Sequence, residues 1–425
     1  MSRAPKYFFL IVLAFAIASA LPVSCAAVPA ATIEDPYRGV NWDTYVPHKT
    51  ELHTHSTVSD GYDDFDVMVE AYYEKGYDVL AMSDHGAVDR SWTNLNIPPV
   101  MQFLQQIDKP SAFFPASTGL TEQRYQEIST GADRGGRGML RVPFAIELNP
   151  TSINKTHVNS WFSDWGNAYL GGSFDYEVAV RGVNSAGGLC SINHPSDSSL
   201  NDKKTPEEAF EGFLGNYTTY KIQRLFERYP ALIAIEMRET QDRKLWDKLL
   251  TNLAPTGRNV FGVLTGDHHN ANDVGQRYIW VLMEQNTADN LRESLEAGAF
   301  ISAMPNRRSE APEPVVTRIT AQAGTIAIEA EHASAIRWIS GGAVIATGPE
   351  IVLAGCEGLG AYVRAEVQGE GGTLYTQPFL LSYEGMPAGN PVPWFFVDFG
   401  FIPALFRQIL LYPGMVVVNW LAGLL

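Results

Sequence analysis

Short apolar runs recur along this chain, and each stops at a side chain that can bind a cation. After an opening segment at residues 51–56, the runs occupy residues 79–82, 142–146, 188–192, 232–235 and 260–264. Near-continuous apolar runs of this length predict strands that are buried on both faces, as in a parallel sheet. The fold must therefore enclose several such strands.

Helix patterns lie between these runs. Apolar residues recur at helical spacing in residues 65–75, 176–186, 241–253 and 288–297, and glycines at 76, 187 and 298 act as helix stops. Strands that alternate with helices predict βα units around a parallel sheet or barrel. In such folds function collects at the carboxyl ends of the strands.

The residues at those carboxyl ends are mostly imidazoles and carboxylates. They are His53, His55, His85, Glu147, His194, Glu236, Asp267 and His269, and His157 follows Glu147 within one loop. His53 and His55 stand two apart on an extended segment, so both point to one face. Each residue alone has an ordinary interpretation, since a strand-end histidine is usually structural, Glu236 could pair with Arg238, and Asp267 could cap a turn. Together, at one edge of one sheet, they predict a metal site.

In this order and spacing the motifs resemble those of the PHP superfamily, which is named after its polymerase and histidinol phosphatase members. The matching residues are His53-Thr54-His55-Ser56 with Ser59-Asp60-Gly61, Asp84-His85-Gly86, Glu147, His157-Val158-Asn159, Asn193-His194-Pro195 and Asp267-His268-His269. The resemblance covers roughly residues 48–304, more than half of the chain. It implies an α/β fold, a distorted (β/α)7 barrel, that binds up to three divalent metals.

The resemblance also implies the ligands. His53, His55, Glu147 and Asp267 would share one metal, Glu147 would bridge to a second held by His157 and His194, and Asp60, His85 and His269 would hold a third. Asp267 becomes the catalytic residue, which binds metal and orients the attacking water. Ligands of these types without thiolate suit Zn, Mn or Fe(II), so two or three such divalent ions are the expected cofactors. Asp84 is interpreted as a partner of the ligands, and His268 as an ordinary residue.

Within the superfamily the chain looks most like the branch that includes carbaryl hydrolase, because Glu147 and His157 are close together in sequence. The superfamily resemblance favours phosphoester hydrolysis, with Arg238 and Arg243 as candidate phosphate contacts. The branch implies instead hydrolysis of carbamate, ester or amide bonds in small aryl substrates. Aromatic residues that could line such a pocket are Trp161, Phe162, Trp165 and Tyr169. A third alternative is a non-catalytic secreted binding protein, which has no evident need for all nine ligand positions.

Composition restricts the partners and the compartment. The net charge of −16 argues against binding of duplex nucleic acid, which needs a basic surface, so we expect a small-molecule substrate. Residues 1–30 resemble a signal peptide, with an uncharged apolar core and small residues before a cleavage site at Ala30. Cleavage there predicts a secreted or periplasmic protein, and Cys25 offers a lipoprotein alternative. Cys190 and Cys356 do not make a disulfide framework.

The order of the patterns divides the chain. It comprises a leader at residues 31–47, the metallohydrolase barrel at 48–306, a small antiparallel β-sandwich domain at 315–383 and an apolar tail at 393–425. The sandwich is predicted because its apolar residues alternate along short runs between glycines. The tail has only Asp398 and Arg407 as charged residues, so it either associates with a membrane surface or is buried against the β domain.

Two long insertions interrupt the barrel. They occupy residues 91–141 and 196–229. Loops of this length are usually functional or flexible. The Gly/Arg run at residues 134–138 is a candidate phosphate clamp, although a flexible solvated turn is the simpler interpretation.

Overall fold

The computed structural model describes residues 31–102, 117–150, 155–171, 176–198 and 210–396. Within them the helices are α1 (Phe65–Glu74), α2 (Glu122–Thr130), α3 (Glu177–Ser185), α4 (Pro195–Ser198), α5 (Gly212–Arg228), α6 (Thr240–Leu253) and α7 (Ala288–Ala297). The first eleven strands are β1 (Thr32–Glu34), β2 (Val46–Glu51), β3 (Val79–Leu80), β4 (Leu140–Arg141), β5 (Ile146–Leu148), β6 (Val158–Trp161), β7 (Leu189–Ile192), β8 (Leu232–Glu236), β9 (Phe261–Val263), β10 (Tyr278–Met283) and β11 (Phe300–Pro305). The remaining strands are β12 (Val315–Gln322), β13 (Thr325–Glu331), β14 (Ala335–Ser340), β15 (Ala343–Thr347), β16 (Glu350–Val352), β17 (Tyr362–Gly369), β18 (Gly372–Tyr375) and β19 (Phe379–Ser382).

Two sheets carry the predicted strands. In one, β2, β3 and β4 run parallel, and in the other the order is β5-β6-β7-β8-β9, with β7, β8 and β9 parallel. β6 runs antiparallel to both β5 and β7, which departs from the expected all-parallel arrangement. Its sequence, Val158-Asn159-Ser160-Trp161, contains no apolar run, so periodicity does not identify it.

The two sheets approach each other at the carboxyl ends of their strands. Thr54, just after β2, bridges to His268, and His85, after β3, bridges to Glu147 in β5. The backbone N–H of Glu147 also donates to the carbonyl of Ser83 at 3.0 Å. The strands assigned within the described residues nevertheless do not close into a barrel. The architecture is a mixed α/β fold in which isolated bridges hold the ends of two sheets together.

The four helix patterns form α1, α3, α6 and α7 almost at their predicted bounds. Asp64 caps α1 by accepting from the Phe65 N–H, and Gly298 ends α7 in the left-handed region at φ 76°. The two insertions contain α2 and α5, which the sequence did not predict. Of the residues of α2, Ile128 alone is buried, so this helix has no apolar stripe by which to recognise it.

The Gly/Arg run has a structural role. Arg137 donates to both carboxylate oxygens of Asp78, each at 2.6 Å, and Arg134 Nη2 lies 3.6 Å from the same carboxylate. Asp78 is fully buried and immediately precedes β3, so this contact lies at the opposite end of the strand from the ligand-bearing loops. This contact argues against a phosphate clamp at the cluster. Residues 132–137 nevertheless form a largely exposed turn, as the simpler interpretation expects.

The strands from β12 to β19 pair antiparallel. β12, β13 and β16 form one sheet, whereas β14, β15, β17, β18 and β19 belong to another. Apolar side chains of both sheets, such as Ile328 and Trp338, join one hydrophobic core. The second sheet continues into the preceding segment through the pairing of β18 with β11, and the leader joins it through β1, which pairs with β19. This continuity was not predicted, because a linker rich in proline separates the two sequence patterns.

Two predicted segments fall outside the described residues. They are the signal peptide at 1–30 and the greater part of the apolar tail, 397–425. Among the residues that the structure does describe, no helix has both the length and the apolar composition needed to cross a bilayer.

Candidate metal centre

Strand geometry explains why the predicted ligands come together. β2, β3, β7 and β9 each lead into a loop that carries ligand-type side chains, and Glu147 lies within β5. His157 comes immediately before β6 rather than after a strand. Because β6 is antiparallel to its neighbours, its first residues lie at the same edge as the last residues of β5 and β7. His157, which the sequence pattern could not assign to a strand, therefore lies in the cluster.

The deepest part of the cluster joins two imidazoles and two carboxylates. The Nε2 atoms of His53 and His55 lie 3.1 Å apart, and each lies 3.1 Å from Oε2 of Glu147. Oδ1 of Asp267 lies 3.3 Å from His53 Nε2 and 3.1 Å from His55 Nε2. These four side chains can direct one ligand atom each at a common point. They are the four that the resemblance assigns to one metal.

A second group lies nearer the surface. It consists of His55, Asp60 and His269, and Asp60 Oδ2 lies 3.3 Å from His269 Nε2. The side chain of Asp60 is 41% exposed and that of His269 is 29% exposed, whereas His55 is fully buried. The cluster therefore opens to solvent on the Asp60 and His269 side.

A third group contains His85, Glu147 and His157. The Nδ1 atoms of both histidines lie 3.2 Å from the Glu147 carboxylate. The resemblance grouped His85 with Asp60 and His269, but His85 Nε2 lies 3.6 Å from Asp60 Oδ2. His85 therefore stands between the second and third groups, and it contacts Glu147 more closely than Asp60.

His194 lies at the edge of the cluster. Its Nε2 is 3.4 Å from Oε1 of Glu147, and its ring contacts that of His157 at a centroid distance of 5.1 Å. It belongs to none of the three tightest groups within the described residues. His194 and Asp267 both have positive φ, 26° and 50°, which is uncommon for residues other than glycine. Two strand-end loops thus place ligand-type residues in strained backbone conformations.

Glu236 orients His53, a role that the sequence did not identify. Its Oε1 accepts from His53 Nδ1 at 2.5 Å and from the Thr265 hydroxyl, and its Oε2 accepts from the backbone N–H of His194 at 2.9 Å. Donation from Nδ1 leaves the lone pair of His53 on Nε2, the atom that faces the deepest group. The contacts of Glu236 therefore differ from the simple ion pair with Arg238 that the sequence left open. Its position at a strand end could have indicated its role beside the cluster.

Glu51 connects two ligand-bearing segments. This buried carboxylate accepts backbone N–H groups of Leu52, His53 and Gly266, each at 3.0 Å. One acceptor thus fixes the start of the His53–His55 segment against the loop that leads to Asp267. Burial raises the pKa of Glu51 to about 8, although those backbone donors act in the opposite direction.

Asp84 acts on the ligands indirectly, as the sequence interpretation had it. It accepts from the backbone N–H of Ser56 at 2.8 Å and from the hydroxyl groups of Ser56 and Ser59 at 2.8 and 2.7 Å. The Ser59 oxygen in turn lies 3.3 Å from His55 Nδ1. Asp84 therefore fixes the loop that carries His55 and Asp60.

The candidate phosphate-binding arginines differ in their contacts. Arg238 donates to Oδ2 of Asp267, and its side chain is 19% exposed. Arg243 donates to the backbone carbonyls of Met237 and Arg238 at 3.2 Å, so it braces that loop. Arg277 Nη2 lies 3.5 Å from Oε1 of Glu239, which follows Arg238 in the sequence, and burial, then the charge of Arg238, lowers its pKa. Arg238 therefore contacts Asp267 directly, whereas Arg277 is paired with a carboxylate.

The four aromatic residues after His157 have different surroundings. Trp161 is completely buried, and its indole donates to the Leu52 carbonyl at 3.1 Å. The ring of Phe162 lies under the guanidinium of Arg292 at 5.6 Å. Trp165 and Tyr169 contact each other at 5.0 Å. Trp161 in particular has a structural role.

Electrostatics follow from the crowding of carboxylates and imidazoles. Burial would raise the pKa of Glu147, but the imidazoles of His53, His85 and His157 bring it well below its ordinary value. Burial would likewise lower the pKa of His53, but Glu147 and other carboxylates raise it well above its ordinary value. Each carboxylate thus favours a positive charge at the positions of the imidazole nitrogens.

The donor set fits divalent cations. Imidazole nitrogens and carboxylate oxygens converge without a thiolate, and such a donor set suits Zn, Mn or Fe. His85 Nδ1 and His194 Nδ1 are buried and lack hydrogen-bond partners within the described residues, although His85 Nδ1 directly faces Glu147. Unpaired buried nitrogens are costly unless they bind something else. A cation beside Glu147 would satisfy His85 Nδ1 and neutralise the carboxylate at once, whereas His194 Nδ1 lies on the Asp197 side of its ring.

His268 does not join the cluster. Its Nδ1 lies 2.7 Å from the Tyr72 hydroxyl, and the residue is almost fully buried. Burial lowers its pKa to about 3. Its interpretation as a residue other than a ligand agrees with this placement.

Comparison with known proteins adds little. Neither a family model nor a curated protein matches the sequence. Among solved structures, the chain is similar to a two-domain protein from Bacteroides vulgatus that contains a predicted PHP-like metal-dependent phosphoesterase. The two sequences are 13% identical, the match covers 83% of this chain and 94% of that chain, and the TM-score is 0.42. A lesion-specific endonuclease from Pyrococcus furiosus matches with 12% identity over 59% of this chain and 56% of that chain, at a TM-score of 0.34. At such TM-scores these likenesses carry no argument about fold or function.

Proposed function

We propose that this protein is a metal-dependent hydrolase of the PHP type, and that it cleaves phosphoesters of small molecules with two or three divalent ions. The proposal includes a distorted (β/α)7 barrel, formed where the bridges from Thr54 to His268 and from His85 to Glu147 connect the two sheets. The observation that carries the function is the convergence of three overlapping donor groups on Glu147 and His55, buried on one side and open on the other.

Bound divalent cations lower the pKa of a coordinated water, polarise the electrophile and neutralise charge in the transition state. The side chains add orientation. Glu236 holds His53 in the tautomer whose Nε2 lone pair faces the centre. Arg238 binds Oδ2 of Asp267, which leaves Oδ1 directed toward His53 and His55. We assign to Asp267 Oδ1 the hydrogen bond that orients the attacking water.

The charge beside Asp267 favours phosphoesters over carbamates. Arg238 is partly exposed next to Asp267, and a guanidinium binds a phosphate through paired, charge-assisted hydrogen bonds. A carbamate pocket would need aromatic side chains at the entrance instead. Trp161, the first aromatic residue after His157, is committed to the core. The branch that includes carbaryl hydrolase therefore has less support than phosphoester hydrolysis.

A substrate screen tests the proposal. The purified chain, supplied with Mn, Zn or Fe(II), is assayed on nitrophenyl phosphate, bis-nitrophenyl phosphate, an aryl carbamate and an aryl ester. We expect turnover of a phosphate substrate that chelators abolish and added metal restores. The Glu147→Gln variant, purified in parallel, controls for a contaminating phosphatase. Turnover of the carbamate alone would overturn the assignment of substrate class, and no turnover by a metal-loaded protein would favour the binding-protein alternative.

Export is a separate proposal and rests on the sequence pattern of residues 1–30. Cleavage after Ala30 would release a secreted or periplasmic protein, whereas lipidation would retain it at Cys25. N-terminal sequencing of the exported form distinguishes these two outcomes. Recovery of the intact chain from the cytosol would contradict both.

A further inference from the structure

Two neighbouring aromatic side chains near the end of the described chain are exposed to solvent. Trp394 is 94% exposed and Phe395 is 68% exposed. Their rings lie 5.8 Å apart at an interplanar angle of 88°. Large aromatic side chains usually account for buried area, so an adjacent exposed pair indicates a surface that binds something.

The segment that carries this pair is fixed to the protein. Phe396 contacts Tyr217 and Tyr220 of α5, with centroid distances of 5.2 and 5.6 Å. Its backbone N–H donates to the Pro393 carbonyl at 2.8 Å, which makes a turn. The Asn390 carbonyl accepts from Gln223 of α5 at 3.3 Å. The turn is thus anchored to α5 on both sides of the pair, while the two aromatic rings remain exposed.

The sequence around the pair is apolar. Residues 385–397 contain no charged residue, and Asp398 and Arg407 are the only charged residues from there to position 425. Tryptophan and phenylalanine are enriched where proteins meet the headgroup region of a bilayer, because one part of the ring system is apolar and the surroundings remain wet. The chemistry of the pair and of the sequence that follows it matches a lipid surface.

We propose that Trp394 and Phe395 insert into the interfacial region of a lipid bilayer and attach the protein to the membrane surface there. Insertion of this kind is apolar rather than electrostatic, because the chain has a net charge of −16 and anionic lipids would repel it. A second copy of the chain is a poorer fit, since two side chains fall far short of the area of roughly 1,000 Å² that a stable protein interface needs.

Vesicle co-sedimentation of the full chain tests this proposal. The parent should bind zwitterionic phosphatidylcholine vesicles, and high salt should not weaken that binding. The double variant Trp394→Ala/Phe395→Ala should bind at least about tenfold more weakly, because two buried aromatic side chains are lost from the bilayer. A matched control is Val344→Ala/Val352→Ala, which trims two side chains exposed elsewhere and should bind like the parent. Both double variants should keep the melting temperature of the parent, because all four side chains are exposed.

Three results would overturn the proposal. The first is a parent that does not sediment with vesicles, and the second is an aromatic double variant that sediments as well as the parent. The third is self-association in ultracentrifugation without lipid that only the aromatic double variant loses, which would assign the pair to a contact between copies.

Discussion

Two buried carboxylates in this molecule are surrounded by opposite kinds of partner. Glu147 faces imidazoles, with His53, His85 and His157 at 3.1–3.2 Å. Asp247 of α6 faces a guanidinium instead, because Arg364 of β17 donates to its two oxygens at 2.8 and 2.7 Å.

The difference in partner separates a functional centre from a structural one. Arginine is charged at every pH that a protein meets, so the Asp247 pair is neutralised internally and joins α6 to the C-terminal sheet. The Tyr362 hydroxyl adds a hydrogen bond to Asp247 at 2.8 Å, so this centre is complete within the described residues. Imidazole is neutral or charged depending on its surroundings, so the Glu147 centre needs protons or metal cations to balance its carboxylates.

We expect the largest effect on turnover from a substitution of Glu147, because its imidazole partners carry no permanent positive charge. Glu147→Gln keeps the shape but removes the carboxylate shared by two of the donor groups. We expect hydrolytic turnover to fall by at least about 10³, and the variant to bind less metal. The matched control is Glu366→Gln, which removes a carboxylate that accepts from Arg364 at 3.0 Å and should leave turnover unchanged. Equal losses in both variants would remove the distinction between the centres.

The next effect tests which residue of the Asp-His-His segment is catalytic. Asp267→Asn should reduce turnover at saturating metal by about 10²–10³, because it removes a charged oxygen from the deepest group. His268→Ala should cost far less activity, since His268 contacts Tyr72 rather than the cluster. If Asp267→Asn keeps near-normal turnover while His268→Ala abolishes it, the functional register is shifted by one residue.

The Asp247 centre should respond in stability rather than in activity. Arg364→Met leaves the Asp247 carboxylate buried without its cation, which should lower the free energy of unfolding by about 3–5 kcal/mol. Urea unfolding measures this change, and turnover per folded molecule should stay near that of the parent. For comparison, Arg318→Met breaks an ion pair with Asp43 that is mostly exposed, so the expected loss is below about 1 kcal/mol. A similar small loss in Arg364→Met would show that the buried pair does not hold the sheet to α6.

Asp89 is a third buried carboxyl, and its partners only partly offset the effect of its burial. Burial raises the pKa of Asp89 to about 7, against the weaker effects of Arg141 and the Trp92 indole, whereas its ordinary value is 3.8. Between these values the folded protein holds a proton that the unfolded chain has released, so stability falls as the pH rises through this window. The free energy of unfolding falls by at most about 4 kcal/mol across this pH window.

Asp89→Asn should remove this pH dependence. Its free energy of unfolding should change less than that of the parent between pH 4 and 7, the window set by the two pKa values. Urea unfolding at several pH values measures the difference between the two proteins. Parallel profiles would show that Asp89 does not titrate in this range.

Sequence reasoning succeeded where a periodic pattern or a strand end carried the information. The four helix patterns and the His53, Glu147 and Asp267 positions were visible in this way. It failed where a strand has no apolar run, and where a residue acts through a partner that is far away in the sequence. The antiparallel strand β6 has no apolar run, and the pairing of Asp78 with Arg137 joins residues far apart in sequence. The role of Glu236 likewise depends on the tautomer of His53, which only three-dimensional contacts define.

Elemental analysis of bound metal tests whether the cluster around Glu147 is a metal centre. The full chain and its Glu147→Gln variant are each incubated with Mn, Zn or Fe(II), dialysed and analysed for metal bound per chain. We expect two or three tightly bound ions in the parent and at least one fewer in Glu147→Gln, with no change in Glu366→Gln. A parent chain that retains less than one ion, or a Glu147→Gln variant that retains as many as the parent, would contradict the assignment of this cluster as a metal centre.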